Sequence, residues 1–105
     1  MKIAITSTGN TLESLIDSSF GRCSWFVIYD TENKAMEFLP NPFKEAAEAS
    51  GSSAVQLLVQ KKVNKIVAGD FGMKIKPMLD SLRIQMIVVK DPQLQINQII
   101  ELLNH

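Results

Sequence analysis

The stretch from Asp17 to Trp25 reads DSSFGRCSW and concentrates residue types that can handle an anion or a metal. It holds Arg22, one of two arginines, and Cys23, the sole cysteine. Arg22 is a planar, permanently charged donor that suits a negative partner. Cys23 is the one soft ligand this stretch offers a metal such as iron or molybdenum, and it is equally a small residue of a type most often buried. Two other stretches share this small, polar character: SGSS at 50–53 and GDFG at 69–72. Gly51 and the serines at 50, 52 and 53 put small residues at a helix N-terminus, where free backbone N–H groups and the positive dipole end favour an anion. The same residues also read as an ordinary capping sequence. Gly69 and Gly72 allow close backbone approach around Asp70 and Phe71.

Other chemistries find little footing. The sole histidine, His105, is the last residue and is expected to fray, so no Ser-His-Asp triad forms. No carboxylates are paired by spacing, and no Cys/His pattern has metal-ligand spacing. The Asp-Phe-Gly at 70–72 lacks the Gly-rich and catalytic loops that accompany it in kinases.

The elements that must position these residues follow from the hydrophobic pattern. KIAITS (Lys2–Ser7) and WFVIYD (Trp25–Asp30) read as strands, and TENK turns the second into a third, AMEFLP, stopped by Pro40. A helix is predicted from about Ser52 to Lys62, then a strand in NKIVAGD and a helix in GMKIKPMLDSLR whose Pro77 delays or kinks its start. QMIVVK is a short strand, central or at an edge. DPQLQINQIIELLNH is a helix with Asp91 as its N-cap and Pro92 at its first position. The order β-β-β-α-β-α-β-α predicts an α/β fold with a mixed five-stranded sheet and helices packed on it.

At 105 residues the chain has the length of one domain, residues 1–105, and its 46% apolar content suffices for a core without disulfides. Net charge is zero, with four basic and seven acidic groups in residues 1–50 and seven basic and four acidic in 51–105. Nucleic acid is therefore not an expected partner. No apolar run approaches the roughly 20 residues of a membrane span, and the polar turn after MKIAI is unlike a signal peptide. A cytoplasmic protein is expected, as a monomer or weak homodimer.

The 17-residue gap Thr8–Ser24 exceeds an ordinary hairpin connection. Leu12, Leu15, Ile16 and Phe20 are expected to anchor it to the core. Following strand directions, four segments share one rim: Ser7–Asn10, Ser19–Cys23, Ser50–Ser53 and Gly69–Gly72. Open α/β sheets place ligands beyond the carboxyl ends of their strands, at such a rim. The candidate site residues are Ser7, Ser19, Phe20, Gly21, Arg22, Ser50, Gly51, Ser52, Gly69, Asp70, Phe71 and Gly72, with Cys23 as a candidate metal ligand.

These pieces carry a resemblance. MKIAI with GNTLES, SSFGRCSWFVIYD, the Asn-Pro after the third strand, EASGSSAVQLL and VNKIVAGDFG, in that order and spacing, make the chain similar to the dinitrogenase iron–molybdenum cofactor biosynthesis family over nearly its whole length. The resemblance implies a ribonuclease-H-like motif fold and a non-enzymatic role. Family members include small proteins that bind or carry nitrogenase cofactor precursors, and one relative holds a molybdenum–copper–sulfide cluster non-covalently. Nitrogenase-linked members often carry a histidine before the Phe-Gly pair, where this chain has Ser19.

The leading expectation is a small carrier for an anionic metal–sulfur cluster or cofactor precursor, containing iron–sulfur or molybdenum and bound non-covalently or through Cys23. Its partners would be the cluster and cluster-assembly proteins. The alternative is a cofactor-free partner-binding or regulatory module, with Phe20, Phe43 and Phe71 as an exposed docking patch. An enzyme acting on phosphate or nucleic acid would need clustered carboxylates for two metals, and this rim offers Asp70 and Asp17 alone.

Overall fold

A computed structural model describes residues 1–104; the expected fraying of His105 lies outside them. The elements are β1 (Lys2–Ser7), β2 (Trp25–Asp30), β3 (Met36–Pro40), α1 (Ser50–Gln60), β4 (Lys65–Ala68), α2 (Ile75–Ser81), β5 (Gln85–Val88) and α3 (Ile96–Leu103). The strands form one mixed sheet in the order β3-β2-β1-β4-β5. β1 is antiparallel to β2 and parallel to β4, and β5 runs parallel to β4. β5 is thus an edge strand, which decides between the two positions its sequence allowed.

Position in the sheet explains composition. Central β1 buries every residue after Lys2, and β2 buries Phe26 to Tyr29. One face packs Ala4, Phe26, Ile28 and Ile66 against Ala54, Val55 and Leu58 of α1 and Leu79 of α2. The opposite face packs Ile3, Ile5, Val27, Tyr29 and Val67 against Ile96, Ile99 and Ile100 of α3. Each fully buried aliphatic side chain contributes about 1.5–3 kcal/mol, so helices on both faces are needed to cover a sheet of this composition.

The helices depart from their expected starts. α1 begins two residues before Ser52, and Ala49 at φ 58° turns the chain into it without a side-chain cap. The SGSS sequence therefore does not act as a side-chain cap. α2 starts only at Ile75, leaving Gly72 to Lys74 outside, consistent with the constraint set by Pro77. α3 starts at Ile96, not near Pro92. Asp91 instead accepts the Gln93 N–H at 3.0 Å in a turn, and the Gln98 side chain accepts the Gln95 N–H at 2.8 Å to open the helix.

The long β1–β2 connection is tied to the carboxyl end of β1 and to the segment before α3. Thr8 N–H donates to the Leu15 carbonyl, Ile16 N–H to Leu94 and Asp17 N–H to Thr6, at 2.9–3.0 Å. Ile16 and Phe20 are buried as expected, whereas Leu12 is exposed. No helix among the described residues is long and apolar enough to cross a membrane.

Candidate functional site

Three separate segments meet at the carboxyl ends of β1 and β4. Ser18 to Arg22, Ser50–Gly51 and Asp70 to Gly72 line a cleft of about 410 Å³. Backbone contacts hold the first segment to the third. Ser19 bridges to Asp70 in parallel register, the Phe20 N–H donates to the Asp70 carbonyl at 3.2 Å, and the Gly69 N–H to the Asp17 carbonyl at 3.4 Å. Gly69 is needed for this closeness, because a Cβ there would lie 2.7 Å from the Ser18 Cα.

The first and second segments meet backbone to backbone. A Cβ on Gly21 would lie 2.9 Å from both the Cα and the backbone nitrogen of Gly51. Absence of a side chain at 21 therefore lets the turn pack directly on the first residues of α1. The first amides of an α-helix have no intrahelical acceptor, and no side chain caps them in α1. They supply a positive dipole end to the cleft wall.

Arg22 is already engaged. Its Nη1 donates to the carbonyls of Lys44 at 3.1 Å and Ala46 at 2.7 Å, drawing the β3–α1 connection onto the turn. Lys44 Nζ reaches the Ser24 hydroxyl at 2.7 Å. The guanidinium thus has a structural task at the cleft margin, and its orientation is fixed by these two carbonyls.

Asp70 is the one carboxylate that lines the cleft. Its Oδ1 accepts the N–H groups of Phe71 at 2.8 Å and Gly72 at 3.4 Å. Those amides of Gly72 and Phe71 hold its carboxyl below the ordinary carboxylate range, with Lys90 and Lys76 adding to the effect. Gly72 itself sits at φ 71°, the left-handed region, with open space around it.

Four expected residues take other positions. Cys23 is 0% exposed, and its Sγ lies beneath the turn at 3.4 Å from the Phe20 carbonyl. Burial, with a lesser effect of Asp17, pushes the thiol up to about 12. A neutral thiol enclosed in the core is not on the rim, so the placement expected of a metal ligand is not found. Ser7 is buried, and its hydroxyl is paired with the Gly9 backbone at 2.7 Å. Gly69 lies behind the cleft under Ser18. Ser52 lines a separate hollow of about 780 Å³ between α1 and Lys74, Ile75 and Met78.

The proposed aromatic docking patch is also absent. Phe20 and Phe71 are 2% and 3% exposed, stacked with ring centroids 5.7 Å apart, and Phe43 is half-buried against the same core. Burial of the rings forms the floor of the cleft. Asp17 does not line the cleft beside Asp70; its Oδ1 accepts the Ser19 N–H at 3.1 Å. Among the described residues no three His, Cys, Asp or Glu side chains converge.

Sequence reasoning missed Asn41. It is 7% exposed, and its amide donates to the carbonyls of Gly21 and Cys23 at 3.0 and 2.9 Å while its Oδ1 accepts the Phe43 N–H at 3.0 Å. It therefore fixes the turn from below. The signal was the Asn-Pro dipeptide directly after β3, a turn-initiating pair with a side chain able to bond locally.

The cleft, built largely from backbone and small residues at one rim of a mixed sheet, is the candidate ligand site. The family model described as dinitrogenase iron–molybdenum cofactor matches residues 1–104, and the chain belongs to that family. The chain is similar to the apo form of the orange protein from Desulfovibrio gigas, with 27% identity, a TM-score of 0.88, and coverage of 95% of this chain and 83% of that one. It is likewise similar to a Thermotoga protein provisionally assigned as NifB, with 27% identity, a TM-score of 0.82, and coverage of 97% and 85%. A Methanocaldococcus jannaschii protein provisionally assigned as a dinitrogenase shares the fold at 22% identity, a TM-score of 0.62, and coverage of 96% and 88%. No curated protein matches the chain significantly.

Proposed function

We propose that this protein is a non-catalytic carrier for an anionic metal–sulfur cluster or cofactor precursor, held non-covalently in the cleft between the Phe20–Arg22 turn, the start of α1 and the Asp70–Gly72 loop. The observation that carries the reading is a cleft lined by the Ser18–Arg22 turn, Ser50–Gly51 at the side-chain-uncapped start of α1 and the Asp70–Gly72 loop, in a chain that matches the family over residues 1–104. Sulfide or oxo ligands of the cargo would accept hydrogen bonds from the Gly51 amide and from the hydroxyls of Ser18, Ser19 and Ser50. Arg22, oriented by Lys44 and Ala46, would supply positive charge through the donors its Nη1 does not use.

Coordination through Cys23 fits poorly, because the thiol would have to ionise in the core and the turn above it would have to open. The test is anaerobic reconstitution with iron, sulfide and molybdate, followed by elemental analysis and an ultraviolet–visible spectrum. Stoichiometric metal with charge-transfer bands is expected, retained in Cys23→Ser and reduced in Arg22→Ala. A metal-free protein after reconstitution would overturn the reading.

A further inference from the structure

The cleft contains a feature that a simple anion receptor lacks. Asp70 places a full negative charge on the wall facing α1, and that charge is held by two amides that would otherwise be available to a ligand. We infer that Asp70 is a specificity-determining residue that bars compact oxyanions such as phosphate, sulfate and free molybdate from the cleft, and so reserves it for a larger cargo with metal centres at its surface. The inference rests on the carrier reading above and adds the selection rule.

Charge and size both enter the argument. The cleft, about 410 Å³, is about 9 Å across if taken as a sphere, so a small dianion within it lies about one Debye length or less from the carboxylate. The amides of Gly72 and Phe71 keep Asp70 ionised across the neutral range, so ordinary pH changes do not lift the barrier. The positive charges of Lys90, after β5, and Lys76, on α2, act weakly on the carboxylate. Asp17, in the first segment, adds a second negative charge nearby, bonded to Ser19.

A cluster differs from phosphate in two respects. Its charge is spread over several sulfides, which weakens repulsion at any one point. Its metal ions accept oxygen donors, so Asp70 can face a metal while the opposite wall donates to sulfide. Free phosphate offers no such site to a carboxylate. The same residue therefore repels one class of anion and tolerates the other.

The test compares wild-type protein with Asp70→Asn by calorimetric titration with inorganic phosphate and with molybdate. Asparagine keeps an oxygen acceptor for the Phe71 and Gly72 amides, and Asp70→Ser provides a second variant with a capping hydroxyl. Both are checked for folding by thermal unfolding. Phosphate and molybdate are expected to bind about tenfold or more tightly to Asp70→Asn than to wild type, the order produced by removing one full charge at this range. Asp80→Asn, on α2 and away from the cleft, is expected to change nothing. Unchanged oxyanion affinity in both folded Asp70 variants overturns the inference. Cluster reconstitution of wild type separates the two readings: a loaded wild type with no gain in Asp70→Asn removes the selection rule alone. An oxyanion gain with an unloaded wild type supports the rule and removes the carrier reading.

Discussion

Substituting Gly21 by alanine tests the backbone contact that forms the cleft. The new Cβ would sit 2.9 Å from the Cα and nitrogen of Gly51 and 3.1 Å from the Ser50 Oγ. Carbon atoms prefer about 3.5–4.0 Å, so the turn and α1 must separate by more than half an ångström. Neither side is a flexible side-chain tip. Overpacking of this kind costs about 1–3 kcal/mol, and two rigid backbones place Gly21→Ala at the upper end. Restricting the unfolded chain returns about 0.4–1 kcal/mol, for a net loss of about 1.5–2.5 kcal/mol by the same principles. That corresponds to a fall in Tm of about 6–15 °C for a chain of this size. The informative control is Gly9→Ala. Its Cβ would come closer to a neighbour, 2.6 Å, but that neighbour is the Ser14 hydroxyl, a side-chain tip that can rotate away by giving up exposed bonds to the Thr11 N–H and hydroxyl, which water can replace. A change within about 0.5 kcal/mol is expected there. Urea unfolding of the two variants decides the matter. A Gly9→Ala loss equal to or larger than that of Gly21→Ala would refute the argument that what is struck, not the distance, sets the cost.

Three further outcomes are expected. Cys23 should resist alkylation in the native state at pH 8 and react only on unfolding, as mass spectrometry of iodoacetamide-treated protein would show. Its thiol is raised from an ordinary value near 9 to about 12, so above pH 9 the unfolded chain loses this proton first; stability then falls with rising pH toward 12, by up to about 1.4 kcal/mol per unit. Cys23→Ala should remove that component from the alkaline limb of a Tm-against-pH curve. Asn41→Ala should lower stability by about 2–4 kcal/mol, because it strips partners from the Gly21 and Cys23 carbonyls and the Phe43 amide; a loss under about 0.5 kcal/mol in urea unfolding would mean water replaces it.

The sequence revealed the strands better than the helix starts. β1 and β2 have sharp apolar runs bounded by polar turn residues, and their observed ends match the pattern. Helix starts depend on capping geometry that local composition does not specify. Asp91-Pro92 had the residues of a helix start, but the chain made a turn there and opened α3 with Gln95 and Gln98. For the cleft, nine of the thirteen named candidates line it together with Ser18, since strand direction alone brings those segments to one end. The position of Cys23 was not legible. Whether a residue beside a turn faces outward or inward depends on contacts across the fold, here Asn41, eighteen residues away, and the Phe20 carbonyl above it.

The central place of β1 has a consequence for the order of events on the ribosome. β1, β2 and β3 pair with near neighbours in sequence and can form once residue 40 has emerged. The far side of β1 then has no partner until β4, residues 65–68, arrives to pair with it. Until that point a strand of buried aliphatic residues shows an open edge, the kind of surface on which chains join wrongly. The Asp70–Gly72 wall comes later still, so the nascent chain lacks a cleft for most of its synthesis. Under the carrier reading proposed above, capture of cargo would be deferred until the edge has closed.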